Sequence, residues 1–154
     1  MLPSDRFRRQ HEELLELALE VDAALNPPSF PRNARDVRRM MARLKGRLVV
    51  HSTMENDALY PRLFQHESPS VRALAQALFE ELGGIYETFA DHHAKWSSVD
   101  LMEADPSGYA QHTRAIFDKL KLRMERENTE LYPLADREGE ASPAAGQRFS
   151  VRPA

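Results

Sequence analysis

Apolar side chains recur along this chain at alternating steps of three and four, the spacing that keeps one stripe of a helix buried. Phe7, His11, Leu14, Ala18, Val21 and Leu25 set that rhythm in a first stretch. Val37, Met41, Leu44, Leu48, His51 and Glu55 carry it through a second, with Ala58 and Leu59 beyond. A third runs Val71, Leu74, Leu78, Glu81 and Ile85, and after one shift of phase Phe89, His92 and Trp96. The fourth reads Tyr109, Thr113, Ile116, Leu120, Arg123 and Glu127, then Glu130 or Leu131, and Leu134. No segment shows the period of two that marks a half-buried strand.

Proline and glycine collect between these stretches, at 26–31, at 68–70 and from Ser97 to Gly108. Ser4 or Asp5, Asn33, Ser68 and Asp105 stand where N-caps are needed, and Pro69 and Pro106 follow where a first turn tolerates proline. The pattern predicts an all-α, up-down-up-down four-helix bundle over residues 1–137. Residues 138–154 hold few large apolar side chains and read as a flexible C-terminal tail.

The rhythm is kept at several places by residues that do not belong in a core. His11, His51, Glu55, Glu81, Arg123 and Glu127 all fall on the apolar seams. A buried ion loses several kcal/mol of hydration unless it is paired or bound to a metal, so these positions call for a common explanation. Counted at ~1.5 Å per residue from the end that holds the second link, Glu55, Glu81 and Glu127 share one height, with His51 and Arg123 a turn deeper. By the same count His11 falls lower, because its helix begins late. His51 and Glu55, four residues apart, present an imidazole and a carboxylate on one helical face, a chelating arrangement.

An internal echo doubles this device. His51-Ser-Thr-Met-Glu55-Asn56-Asp-Ala-Leu59-Tyr60-Pro61 returns as Arg123-Met-Glu-Arg-Glu127-Asn128-Thr-Glu-Leu131-Tyr132-Pro133. Two helices thus aim carboxylates at one core, the logic of di-iron bundles. Each Tyr, one turn further on, either bonds or ligates at the centre or packs its ring and leaves its hydroxyl wet at the bundle end. Gly83-Gly84 marks either a close helix approach or space for a small ligand. Of the other histidines, His66 and His93 read as exposed, and His92 and His112, at similar heights toward the opposite end, as surface or satisfied core groups, with a second site there the weaker alternative.

Composition narrows the chemistry. The 154 residues suit one domain, and the absence of cysteine removes disulfides, thiolate metal sites and cysteine nucleophiles. Twenty-one basic against 24 acidic side chains give no electrostatic footprint for nucleic acid. There is neither an apolar run of roughly 20 residues nor an apolar segment near the start, so no membrane span or secretory signal is expected and the cytoplasm is the expected compartment.

The sequence resembles the hemerythrin-like, or HHE cation-binding, domains over about Phe7 to Asp136. The resemblance rests on Arg9-Gln10-His11-Glu12-Glu13-Leu14-Leu15, on His51 to Pro61 and on Arg123 to Pro133. It implies a non-haem iron centre within the bundle that binds dioxygen, nitric oxide or peroxide, or that senses oxygen or redox state through a signalling partner. His11, His51, Glu55 and Glu127 fall on the family's ligand positions, and in the third helix only Glu81 could serve. Arg123 replaces a family histidine, and a guanidinium is no ordinary metal ligand. The five-imidazole carrier site is therefore excluded. Two imidazoles and up to three carboxylates favour one or two ions of iron, with manganese or zinc also accepted. The competing readings are a degenerate site, in which Arg123 salt-bridges the carboxylates of a structural or partner-binding bundle, and a di-iron oxidase or peroxidase.

Overall fold

Each apolar stripe becomes a helical rod in the structure, a computed structural model that describes residues 1–137. The tail expected over 138–154 lies outside the described residues. Helix α1 spans Asp5–Ala24. The second rod begins as α2, Ala34–Met54, passes through a π-helical turn at Glu55–Leu59 and ends as α3, Tyr60–Phe64. The third is made of α4, Pro69–Leu82, and α5, Ile85–Lys95. After the short helix α6, Val99–Ala104, the fourth rod runs as α7, Pro106–Arg126, through a second π-helical turn at Glu127–Leu131 and on over 132–137. Helix α1 packs along α2 and α7, α3 on α4, and α5 on α7, the expected up-down-up-down bundle. Among the described residues there is no strand, and no helix is long and apolar enough to cross a membrane.

The third rod departs from expectation. Gly84 adopts φ +83, which side-chain-bearing residues rarely take, and a Cβ on Gly83 would lie 3.1 Å from the Phe79 carbonyl oxygen. The glycine pair therefore breaks the rod; it neither admits another helix nor leaves ligand space. The buried seam of this rod runs Ala75, Leu78, Leu82, Ile85, Phe89, so Leu82 takes the place that the sequence pattern gives to Glu81. Capping also differs in part. Ser68 and Asp105 accept hydrogen bonds from Val71 N and Gly108 N as caps should. Asn33 instead donates from Nδ2 to the Ala24 carbonyl, and Ser4 turns to Asp136. Within the last link Ser98 caps α6, whose Met102 is fully buried.

Among the described residues the core consists of three apolar layers stacked along the bundle. Phe7, Leu59, Leu63, Leu78 and Leu131 belong to one end, Leu14, Leu44, Leu48, Phe89 and Leu120 to the middle, and Val21, Val37, Trp96 and Tyr109 to the far end. His11, His51, Glu55, Arg123 and Glu127 fall between the first two layers. Stagger of α1 resolves the height of His11: Ser4 bonds Asp136 through its backbone N at 3.0 Å and its hydroxyl at 2.8 Å, and Arg8 Nη2 donates to the Asn128 carbonyl at 3.2 Å. These ties hold the start of α1 against the end of the fourth rod and bring His11 into the layer.

Candidate metal centre

The two copies of Glu-Asn-x-x-Leu-Tyr-Pro adopt the same local fold. A proline inside a helix lacks an N–H and collides with the carbonyl four residues earlier. Pro61 and Pro133 nevertheless sit in continuing helices, and the widened turns at Glu55–Leu59 and Glu127–Leu131 accommodate them. Such π-helical turns are rare and frequently lie at functional sites. Here each begins on the glutamate that faces the core.

His11, His51, Glu55 and Glu127, all buried, each offer one ligand atom, and these atoms lie within 4.8 Å of one another. His11 Nδ1 is 2.8 Å from Asn128 Oδ1 and His51 Nδ1 is 2.7 Å from Gln10 Oε1. An amide oxygen only accepts, so both Nδ1 atoms carry the proton and both Nε2 atoms offer lone pairs when the rings are neutral. Those two Nε2 atoms are 3.0 Å apart. His51 Nε2 is 3.1 Å from Glu55 Oε1, and His11 Nε2 is 3.2 Å from Glu127 Oε1. The Tyr132 hydroxyl donates to Glu55 Oε2 at 2.7 Å and lies 2.9 Å from His11 Nε2. Glu55 Oε1 and both oxygens of Glu127 are buried without a well-directed hydrogen bond.

Arg123 stands at the edge of this group, with Nη2 3.7 Å from Glu55 Oε1 and Nε 3.6 Å from Glu127 Oε1. Charges this close and this buried displace one another's titration. Burial opposes the His51 imidazolium, but the Glu127 and Glu55 carboxylates outweigh it and push His51 up to about 9. Burial and the neighbouring Glu127 raise Glu55. Burial also disfavours ionised Glu127, yet His11, His51 and Arg123 together hold it well below the usual carboxylate range.

In the metal-free chain these shifts tie stability to pH. Its folded His51 titrates near 9 against 6.5 when unfolded, so its stabilising effect is complete below 6.5 and lost as pH rises through 9. The raised Glu55 acts in the same sense. Urea unfolding of metal-free protein is expected to show a decline of up to about 3 kcal/mol between pH 6.5 and 9. A flat profile there would show that His51 carries no shared proton.

Glu81 must be removed from the candidate ligands. Its side chain is 55 % exposed and pairs with Arg126 on the surface. Of the two tyrosines, Tyr132 has no exposed surface and bonds a site carboxylate, which corrects the reading of a wet hydroxyl; Tyr60 is buried against Phe64 and Phe79. His92 and His112 lie elsewhere, the first bonded to Thr113 Oγ1, the second accepting from Trp96 Nε1. Gln10 and Asn128, which orient the imidazoles, are missing from the sequence-derived set. The Asn in the repeated motif was the available signal for Asn128.

Fold and site together define a helical bundle with a buried imidazole–carboxylate cluster shaped to hold a cation. The chain matches the hemerythrin HHE cation-binding domain over residues 2–135 and belongs to that family. Comparison with curated proteins and with solved structures gives no match. The donor set fits a metal: two lone pairs and several unsatisfied carboxylate oxygens converge, and the outer imidazole nitrogens are anchored as those of metal-bound histidines are.

Proposed function

We propose that His11, His51, Glu55 and Glu127 hold one non-haem metal ion, iron by preference, and that the protein binds a small ligand such as dioxygen or reports redox state through it. The carrying observation is the pair of Nε2 atoms 3.0 Å apart with both Nδ1 atoms anchored on amide oxygens. Two lone pairs so placed repel unless a proton or a metal cation lies between their ligand directions. Two nitrogens with two carboxylates suit iron, and manganese or zinc would also be accepted. Bound iron would supply reversible electron exchange and an open position for dioxygen, nitric oxide or peroxide.

The protein's own groups do the rest. Gln10 and Asn128 fix the ring orientations, Tyr132 holds Glu55 by a donated hydrogen bond, and Phe7 packs on the rings of His51 and Tyr132, which shields the centre from water. Arg123 supplies a resident positive charge where the repeat would otherwise put a second histidine. Among the described residues only four ligands gather, which supports one ion. A core filled by salt bridges alone would draw the guanidinium onto the carboxylates at about 2.8 Å. At 3.6–3.7 Å, with Nε unsatisfied, Arg123 does not do so. Elemental analysis of protein from iron-supplemented cells is expected to find close to one iron per chain. If neither iron nor manganese copurifies, and neither produces a near-ultraviolet band on addition, the reading is wrong.

A further inference from the structure

A second feature lies toward the far end of the bundle, between α2 and α5. There a cavity of about 650 Å³ opens to the surface, within the roughly 300–1,000 Å³ range typical of small-molecule sites. Its walls are apolar: Met41 and Val49 from α2, Phe89 and Trp96 from the third rod, with Tyr109 of α7 behind them. The permanently charged groups that line it are all basic, Arg38, Arg39 and Lys45. No Asp or Glu lines it among the described residues; Asp36 sits beside it, 3.6 Å from Arg39, where both side chains are mostly exposed. Arg38 is committed to the Trp96 carbonyl at 2.7 Å, which leaves Lys45 and Arg39 as the principal rim cations.

Two further details favour occupation by a ligand. Gly46 stands in mid-helix on this face, where glycine is unfavourable, and a Cβ there would meet nothing within 4 Å. No packing contact therefore requires glycine; its effect is to keep the cleft open. His92, also in the wall, is bonded to Thr113, and its burial lowers it to about 4, so the inner wall is uncharged at neutral pH.

We propose that this cleft binds an amphipathic organic monoanion, its carboxylate at the Lys45–Arg39 rim and its apolar body against Phe89 and Trp96. The proposal is independent of the metal centre. Trp96 is the sole tryptophan, so its fluorescence reports the cleft directly. Titration of the full chain with octanoate is expected to give a saturable change at one equivalent, at least about tenfold tighter than with octylammonium, which has the same chain and the opposite charge. Gly46→Leu should fill the cleft and abolish the response without loss of helix content by circular dichroism. Lys45→Glu, at a half-buried rim position, should weaken octanoate by about tenfold and leave the helix content unchanged. A non-saturable response, equal binding of the two amphiphiles, or unaltered binding in Lys45→Glu would each overturn the proposal.

Discussion

His51→Ala is expected to weaken Fe(II) binding by more than about a hundredfold, the upper range for loss of an outer-sphere partner alone, because it would remove a proposed ligand outright. Gln10→Ala, which releases only the Nδ1 anchor of the same ring, should cost about ten- to a hundredfold. Glu81→Ala should change nothing, since its side chain pairs with Arg126 away from the cluster. Anaerobic competition against a coloured chelator measures all three on one scale. The order His51 over Gln10 over Glu81 is specific to the geometry, because a mere surface-charge effect would rank the exposed Glu81 beside the others. Equal affinity in His51→Ala and the parent chain would eliminate the site.

The contrast between His51 and Glu81 also shows what the sequence makes legible. His51 follows Leu44 and Leu48 on an unbroken stripe, so periodicity alone places it in the core. Glu81 obeys an equally regular stripe, but one that begins with Val71 and Leu74, and Leu74 is 37 % exposed. The packed face is instead that of Ala75, Leu78 and Leu82, one step over. A one-residue change of phase turns a helix face by about 100°, enough to move a carboxylate from the core to solvent. Alanine gives a weak apolar signal, and Gly83-Gly84, which breaks the rod, removes the continuity that would have fixed the phase from Phe89 onward.

Gln10 and Asn128 escape periodicity for another reason. They flank the seam and are partly buried, so their role depends on the stagger of α1 against its neighbours, a tertiary quantity. That stagger is set by Ser4 and Asp136, 132 residues apart. The π-helical turns were encoded locally, in the Tyr-Pro pair of each repeat, but the motif states only that the helix must widen or stop. Packing of Tyr60 and Tyr132 into the end layer decides for widening, since a stopped helix would expose both rings.

Arg123→Met tests the electrostatic design of the centre. With Glu55 and Glu127 ionised, Arg123 and a protonated His51 bring the metal-free cluster to formal neutrality. Removal of the guanidinium leaves a buried net negative charge, and stability of the metal-free chain is expected to fall by about 3 kcal/mol. A divalent ion that displaces the His51 proton gives the parent cluster a net charge of about +1, and the Met variant about zero. The variant should therefore bind Fe(II) more tightly, by at least about tenfold for a cation freed from a like charge at this range in an effective dielectric near 20. Thermal unfolding of both proteins, with and without anaerobic Fe(II), reads the two effects at once. The variant is expected to melt lower without metal and to gain more on adding it. If it is destabilised and iron restores nothing, Arg123 is the cluster's structural counter-ion in place of a metal, and the core belongs to a bundle that works through its surface alone.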